Sequence, residues 1–338
     1  MKSTEERPII GITMGDPVGI GPEIISKALT QRSVYETCRP LVLGDVAAIT
    51  ASNQWLKTGL KICPVDAPEA GLYESGSIDV IGLSDLDYGL LKYGHPTKET
   101  GRAMVSYVTR GIDWAMKGRI HGLATCPINK MAMHMAGADF DGHTELLAQR
   151  TKTSDYVMML AGNRLRVALV TIHLPLAQVP GSLTTEAVFR TISITDEALR
   201  SAFGIPKPRL AVAALNPHAG EEGLFGDEEV RVISPAIEKA RGAGMDVSGP
   251  HPPDTLFYKA LKGRWDAVVC MYHDQGLIPF KTVHFSDGVN VTLGLPIVRT
   301  SVDHGTAYDI AGTGKADPKS LVAAIRMAAE HALQRGMG

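Results

Sequence analysis

The chain has 338 residues, of which 44% are hydrophobic and 21% charged, and its net charge is −2 at pH 7. This length suits two domains rather than one core, and the composition is that of a folded globular protein. The near-neutral charge, without any block of like charge, excludes a nucleic-acid-binding or membrane-surface protein, so we expect neither partner.

Apolar runs alternate with amphipathic segments along the whole chain. The predicted strands, in chain order, are Pro8–Met14, Pro40–Gly44, Ser77–Gly82, Gly122–Thr125, Arg166–Thr171, Arg209–Ala214 and Ala267–Met271. The predicted helices are Glu23–Leu29, Gly101–Met116, Thr184–Phe203, Asp227–Arg241 and Ser320–Leu333. This alternation is typical of an α/β protein with largely parallel sheets. Because no low-complexity linker is visible, we expect lobes that share the chain discontinuously.

The cysteines and the chain start indicate the compartment. Cys38, Cys63, Cys126 and Cys270 lie far apart, without the C-x-x-C spacing of a metal site. We expect reduced, buried thiols, which favour a cytoplasmic enzyme. The polar start MKSTEERP lacks a signal-peptide core, and the apolar stretches are broken before they could span a bilayer.

The first predicted loop, TMGDPVGIGPEI at Thr13–Ile24, follows a strand and opens a helix. Its glycines, Gly15, Gly19 and Gly21, allow either close contact with a ligand or simply a tight turn, and both interpretations stay open. The chain contains neither G-x-G-x-x-G nor a G-x-x-x-x-G-K-[ST] phosphate loop. A conventional dinucleotide or phosphate fingerprint is therefore absent from the sequence.

Three predicted strands are each followed by a histidine, namely His173, His218 and His273. One such histidine is most often a structural hydrogen-bonding group. Ligands, however, gather at the carboxyl ends of strands in α/β sheets, and three imidazoles with an open position are what a catalytic divalent ion uses, Zn²⁺ first. Asp274 is then either a further ligand or a group that orients His273.

Two shorter motifs each carry two interpretations. In GHTE, Thr144 either caps the following helix or, with His143, meets an anionic substrate. In PPDTLF, Asp254 is either a helix cap or a catalytic carboxylate. Further along, Lys281, Asn290 and Arg299 are isolated polar residues in apolar sequence, and Arg299 suits bidentate pairing with a carboxylate or phosphate.

The segment SVDHGTAYDIAGTGKADP at Ser301–Pro318 resembles the nucleotide-binding loop of the isocitrate and isopropylmalate dehydrogenase superfamily. Taken with TMGDPVGIGPEI, GHTE, TIHLPL, LNPHAGEEGLFGDEE, PPDTLF and MYHDQG, it makes the whole chain similar to the 4-hydroxythreonine-4-phosphate dehydrogenase family. The resemblance covers the chain essentially from end to end.

The resemblance implies a two-lobed α/β fold with largely parallel sheets and a cleft between the lobes. It implies a nucleotide-binding lobe at residues 1–130 plus 285–338 and a metal, substrate and dimerisation lobe at residues 131–284. It also implies a homodimer with an active site shared across the interface. One divalent ion per subunit, most often Zn²⁺ but with Mg²⁺, Mn²⁺ or Co²⁺ as alternatives, would bind His173, His218 and His273 from two subunits.

Residue roles follow from the same resemblance. Substrate contacts map onto His143, Thr144, Lys281, Asn290 and Arg299, and the candidate catalytic residues are Lys281, Asp254 and Asp274. NAD would bind around His304, Gly305, Thr306, Ala307, Asp309, Gly312 and Gly314.

The implied reaction is NAD-dependent oxidation of a 4-phosphorylated 3-hydroxy acid, followed by decarboxylation of the β-keto acid. The substrate is 4-phosphooxy-threonine or the 4-phosphate of D-threonate or D-erythronate. The alternatives are a dehydrogenase of aromatic cis-dihydrodiols on the same fold, a phosphotransacetylase-like acyltransferase, and a metal-dependent binding protein without turnover.

Overall fold

The computed structural model describes residues 6–87, 89–138 and 142–336. The chain divides into two compact units. The first comprises residues 1–154 and 295–338, and the second comprises residues 155–294. The lobe boundaries and lobe functions expected from the sequence stay predictions.

The first unit is built on a parallel sheet. Its strands are β1 (Ile9–Thr13), β2 (Arg39–Gly44), β3 (Lys61–Pro64), β4 (Ser77–Gly82), β5 (Gly122–Thr125) and β12 (Arg299–Val302). They lie in the order β3-β4-β2-β1-β5-β12, and each neighbouring pair is parallel. The helices are α1 (Gly21–Ala28), α2 (Arg32–Thr37), α3 (Val46–Leu56), α4 (Lys98–Met116), α5 (Lys130–Met135), α6 (His143–Thr151) and α12 (Lys319–Gln334).

The second unit has a mixed sheet. Its strands are β6 (Val157–Ala161), β7 (Arg166–Leu169), β8 (Arg209–Ala213), β9 (Asp246–His251), β10 (Ala267–Cys270) and β11 (Val289–Leu293). They lie in the order β11-β6-β7-β10-β8-β9; β6 is antiparallel to both neighbours and the rest are parallel. The helices are α7 (Val179–Ser182), α8 (Thr185–Ser201), α9 (Ser234–Gly242), α10 (Pro253–Leu261) and α11 (His273–Val283).

Burial explains why the central strands are apolar throughout. Every residue of β1, β5 and β10 is buried, as expected for parallel strands covered on both faces. On α4, Met104, Val108 and Ile112 recur every four residues and pack with Leu41 and Leu43 in one core cluster. The prediction of an α/β protein with largely parallel sheets is confirmed.

Sequence patterns missed strands that are short, polar or irregular. β12 reads RTSV yet is fully buried, and β9 reads DVSGPH and carries a register shift against β8. The helix predicted at Asp227–Arg241 is present but begins irregularly, with a π-helical turn at Glu229–Ile233 before α9. The reason lies outside the helix, because Glu229 bonds the backbone N–H groups of residues 215 and 216.

Two further expectations concern the compartment. The four cysteines are buried and have free thiols, as the sequence predicts. Among the described residues, no helix is long and apolar enough to cross a membrane. The prediction drawn from the polar start of the chain falls on residues that lie, up to position 5, outside the described ones.

Candidate active site

The three strand-end histidines lie at one edge of the second unit's sheet. β7, β10 and β8 are parallel neighbours in that order, so their carboxyl ends meet at the same edge. His173 follows β7, His218 follows β8, and His273 is the first residue of α11 after β10. Crevices at this edge are where α/β sheets bind ligands.

Buried side chains that the sequence analysis did not assign hold these strand ends together. Gln275 accepts a hydrogen bond from the Met271 N–H at 2.7 Å and donates one to the Ala214 carbonyl at 2.6 Å. The Thr171 hydroxyl donates to the Met271 carbonyl at 2.7 Å. The signal in the sequence was a polar residue close after an apolar strand. A buried backbone N–H or C=O group at a strand end needs a hydrogen-bond partner, and such a side chain can supply it.

His173 and His273 face each other across one cavity. Their ring centroids are 5.9 Å apart, and the cavity, about 480 Å³, is also lined by Ile172, Tyr272 and Asp274. The Asp274 carboxylate lies 2.7 Å from Nδ1 of His273. Because a carboxylate only accepts, the His273 proton resides on Nδ1, which leaves Nε2 as a ligand atom. Asp274 is therefore placed to orient His273, and its role as an orienting group or as a further ligand stays a prediction.

His218 lines a second cavity with Asp254, Asn216, Tyr272 and Gln275. α10 begins at Pro253 and receives no side-chain cap, so Asp254 lies exposed in the first turn and does not cap the helix. Tyr272 borders both cavities. Within one chain, the described residues contain no group of three His, Cys, Asp or Glu side chains placed to hold a metal ion.

In the first unit, the buried Arg299 lies near the half-buried His143. Arg299 opens β12, is 3% exposed, and donates from Nη2 to the Thr125 hydroxyl at 2.9 Å. His143 begins α6, and its Nε2 is buried without a hydrogen-bond partner. Thr144 lies within the first turn of α6, where Gly142 is the cap, so the capping interpretation of Thr144 is wrong.

Burial governs the protonation of both groups. It holds the pKa of His143 well below its usual range, and the charge of Arg299 lowers that pKa further. Burial also lowers the pKa of Arg299 to about 10, against the attraction of Glu145. A neutral imidazole, a buried guanidinium and the unpaired N–H groups of a helix start suit an anionic ligand.

The segment that resembles a nucleotide-binding loop packs against the first loop of the chain. The Tyr308 hydroxyl donates to Asp16, and the Ile20 N–H donates to the Thr306 carbonyl at 3.2 Å. Burial raises the pKa of Asp16, although the bonds from Tyr308 and Val18 oppose this. Asp309, His304 and Gly305 of the same segment are exposed.

Two glycines of the first loop serve its folding rather than a ligand. A Cβ on Gly15 would lie 2.3 Å from the Pro127 carbonyl oxygen, and one on Gly21 would lie 2.0 Å from the Met14 carbonyl oxygen. Gly15 also has φ +70°, a conformation that side chains rarely adopt. The tight-turn interpretation therefore accounts for both residues.

Lys27 holds the far end of the segment Ser301–Pro318. Its ammonium group donates to Glu23 at 2.8 Å and to the carbonyls of Gly314 and Ala316, each at 2.7 Å. Glu23, 2% exposed, also accepts from the Ala316 N–H at 2.9 Å. All three ammonium donors are thus used, and α1 is joined to residues 314–316.

The remaining site residues lie on separate elements of the second unit. Lys281 is in α11, and Asn290 is in β11 opposite Leu160. The Asn290 Oδ1 atom is buried without a hydrogen-bond partner. A buried amide oxygen in this state is a candidate contact for a ligand donor.

We predict that His143 makes stability depend on pH. The pKa of His143 in the folded state lies below its unfolded value near 6.5. Its contribution to the free energy of unfolding is therefore complete above about pH 6.5 and is lost as the pH falls below that value toward the folded pKa. His143→Gln, which cannot protonate, should therefore lose less thermal stability than the wild type between about pH 7.5 and pH 5. Melting curves across that range would measure this, and parallel pH profiles would contradict it.

Comparison with known proteins places the chain in a family. The family model for pyridoxal phosphate biosynthetic protein PdxA matches residues 36–328. A 4-hydroxythreonine-4-phosphate dehydrogenase of Desulforapulum autotrophicum is 59% identical over 98% of both chains. A D-threonate 4-phosphate dehydrogenase of Cupriavidus necator is 47% identical over 97% of this chain and 98% of that one.

Solved structures indicate the same family. The crystal structure of a Klebsiella pneumoniae 4-hydroxythreonine-4-phosphate dehydrogenase superposes with a TM-score of 0.90, at 41% identity over 97% of this chain and 98% of that one. The resemblance noted in the sequence motifs is thereby confirmed. The chain belongs to the PdxA family of oxidoreductases.

Proposed function

We propose that this protein is a divalent-metal-dependent dehydrogenase that uses NAD⁺ to oxidise the 3-hydroxyl of a 4-phosphorylated 3-hydroxy acid, and that the β-keto product then loses CO₂. The substrate class comprises 4-phosphooxy-threonine and the 4-phosphates of D-threonate and D-erythronate. The observation that carries the proposal is the pairing of His173 with an Asp274-oriented His273 at the carboxyl edge of a sheet. Relatives named as dehydrogenases of such substrates support it.

The donor set fits a borderline-soft divalent ion. Two imidazoles on one tetrahedral ion have ring centroids roughly 5–6 Å apart, given a Zn–N bond of about 2.1 Å, and His173 and His273 are 5.9 Å apart. Imidazole nitrogens suit Zn²⁺ or Co²⁺ better than Mg²⁺ or Mn²⁺. We therefore assign His173, His273 and His218 to a Zn²⁺ ion, with Asp274 holding His273 in the ligating tautomer.

We propose that the third imidazole comes from a second copy of the chain. His173 and His273 share one cavity, whereas His218 lines the other, so His218 is the natural ligand to an ion on a partner. Exposed apolar side chains accompany these histidines, including Leu176 at 69% and Leu224 at 73%. Large apolar side chains grouped around a polar site are typical of a subunit interface.

The chain's own residues would bind and orient the substrate. His143, Thr144 and Arg299, at the start of α6 and β12, would hold an anionic end, since Arg299 carries a positive charge that burial removes from water. The unpartnered oxygen of Asn290 would accept from a substrate hydroxyl or amino group. Lys281 would transfer the proton or stabilise charge, and Asp254 would act beside His218.

The bound groups would supply what side chains lack: the ion would supply Lewis acidity at the substrate oxygens, and NAD⁺ would supply a hydride acceptor. We assign NAD⁺ to the segment of His304, Gly305, Thr306, Ala307, Asp309, Gly312 and Gly314. The contacts of Asp16, Glu23 and Lys27 support this assignment, because they hold the segment in one conformation before any ligand arrives. Such preorganisation favours binding.

The proposed function predicts NADH formation from the correct substrate. Purified protein with NAD⁺ and Zn²⁺ should produce NADH and CO₂ with 4-phosphooxy-threonine or with D-threonate or D-erythronate 4-phosphate, and a chelator should abolish both products. The NADH absorbance measures the first, and comparing the three esters identifies the substrate. Turnover of an aromatic cis-dihydrodiol alone, or acyl transfer without NADH, would instead support one of the alternative functions.

Lys27 offers a test of the NAD⁺ assignment. Lys27→Met removes two hydrogen bonds to the carbonyls of residues 314 and 316 and one to Glu23, so we expect roughly a tenfold weaker NAD⁺ affinity, as for the loss of one charged hydrogen bond. Titration by NADH fluorescence would measure it, and metal content should stay unchanged. Arg32→Met, which breaks the exposed i,i+4 pair with Glu36, is the matched control. Equal NAD⁺ affinity in both variants would place the cofactor elsewhere.

Mixing inactive variants tests the shared site. His218→Ala and His273→Ala should each be inactive, yet their mixed dimer holds one intact site if His218 comes from the partner subunit. Random exchange gives about half mixed dimers, so about a quarter of wild-type activity should return. His173→Ala mixed with His273→Ala should stay inactive. Recovery by this second pair instead would place His173 and His273 of different subunits on one ion.

A further inference from the structure

The turn that carries His218 has an unusual backbone. His218, Ala219, Gly220, Glu221 and Glu222 have φ values of 51°, 56°, 79°, 40° and 56°. Only one of the five is glycine, and left-handed conformations are unfavourable for all other residues. Such a run persists only where the surrounding structure holds it, and it occurs most often at functional sites.

Glu229 is the group that holds this turn. Its Oε1 accepts hydrogen bonds from the backbone N–H groups of Leu215 and Asn216, both at 2.7 Å. Its Oε2 accepts from the side-chain amide of Asn216 at 3.0 Å. The carboxylate is therefore bonded to both residues that lead from β8 into the turn, and Glu229 is only 2% exposed.

The turn also packs directly on this carboxylate. A Cβ on Gly220 would lie 2.7 Å from Oε2 of Glu229 and 2.9 Å from the Gly226 carbonyl oxygen. The glycine at the centre of the left-handed run is thus the residue that lets the turn approach Glu229. The π-helical turn at Glu229–Ile233 begins at the same residue. Single π-helical turns are frequent at functional sites.

We propose that Glu229 is a positioning residue for His218. It acts through the backbone at residues 215–216 and through Asn216, and it presents the imidazole at the strand edge in the conformation that a metal ion requires. This inference rests on the proposed function, in which His218 is a metal ligand. It adds a residue that determines the affinity for the ion without touching it.

Metal affinity, rather than turnover, tests the inference. In metal-free full-length protein, titration with Co²⁺ should show a dissociation constant raised roughly 10–100-fold by Glu229→Gln, as for other groups that orient metal ligands. In this variant the Gln amide nitrogen faces the Asn216 amide nitrogen, and two donors cannot bond. The cobalt absorption band should also weaken, because a misplaced imidazole changes the coordination geometry.

A double-mutant cycle separates positioning from general destabilisation. If Glu229 acts through His218, then Glu229→Gln should change the Co²⁺ affinity less than about twofold in a His218→Ala background. An equal loss in both backgrounds would overturn the inference. If His218→Ala itself left the Co²⁺ affinity unchanged, the proposed function would fail instead, so the two failures are distinguishable.

Glu228→Gln is the matched control. Glu228 carries the same charge one residue away and accepts from the Asn216 amide at 2.7 Å, a bond that the amide oxygen of the variant can keep. In Glu229→Gln the single remaining oxygen is needed by the backbone N–H groups of residues 215 and 216, which leaves the amide nitrogen facing Asn216. The Co²⁺ affinity of Glu228→Gln should stay within about twofold of the wild type, and an effect as large as that of Glu229→Gln would show that only charge matters. If Glu229→Gln did not fold, Asn216→Ala in the same cycle would decide, since it removes the side-chain bonds to Glu229 and Glu228 and keeps the two bonds from backbone N–H groups to Glu229.

Discussion

The edge that carries the candidate metal ligands depends on one buried amide. Gln275, 7% exposed, bonds the Met271 N–H at the end of β10 and the Ala214 carbonyl at the end of β8. Both strands have ended at this point, and an unpaired buried backbone group costs about 1–3 kcal/mol. The amide satisfies both groups and holds together the two strands that lead to His273 and His218.

Lys27 and Arg299, two cationic side chains of the first unit, differ in their role. Lys27 donates one hydrogen bond to Glu23 and one to each of two backbone carbonyls, so its charge is compensated within the fold. Arg299 has a pKa lowered to about 10, because burial outweighs the attraction of Glu145. Its guanidinium also donates to the Thr125 hydroxyl at 2.9 Å. Lys27 is thus a structural residue, whereas the proposed function assigns Arg299 to the anionic end of the substrate.

The failures of the sequence analysis fall where local preference is overridden. The pattern at Asp227–Arg241 is that of a regular helix, but Glu229 is drawn toward the backbone at residues 215–216 and the helix starts with a π turn. Similarly, β12 has a polar sequence and is nonetheless fully buried, because β5 and α12 cover it. In each case contacts distant in sequence decide the local structure.

The sequence by itself determined the α/β class, the alternation of elements and the placement of His173, His218 and His273 after strands, because periodicity and strand ends are local properties. It left open whether Thr144 and Asp254 are caps, and it did not indicate the roles of Gln275, Lys27 or Glu229. Only the tertiary structure decided these, since each depends on backbone groups brought near by strand order. Burial, which sets the pKa of His143 and Arg299, is likewise a property of the packed chain rather than of any segment.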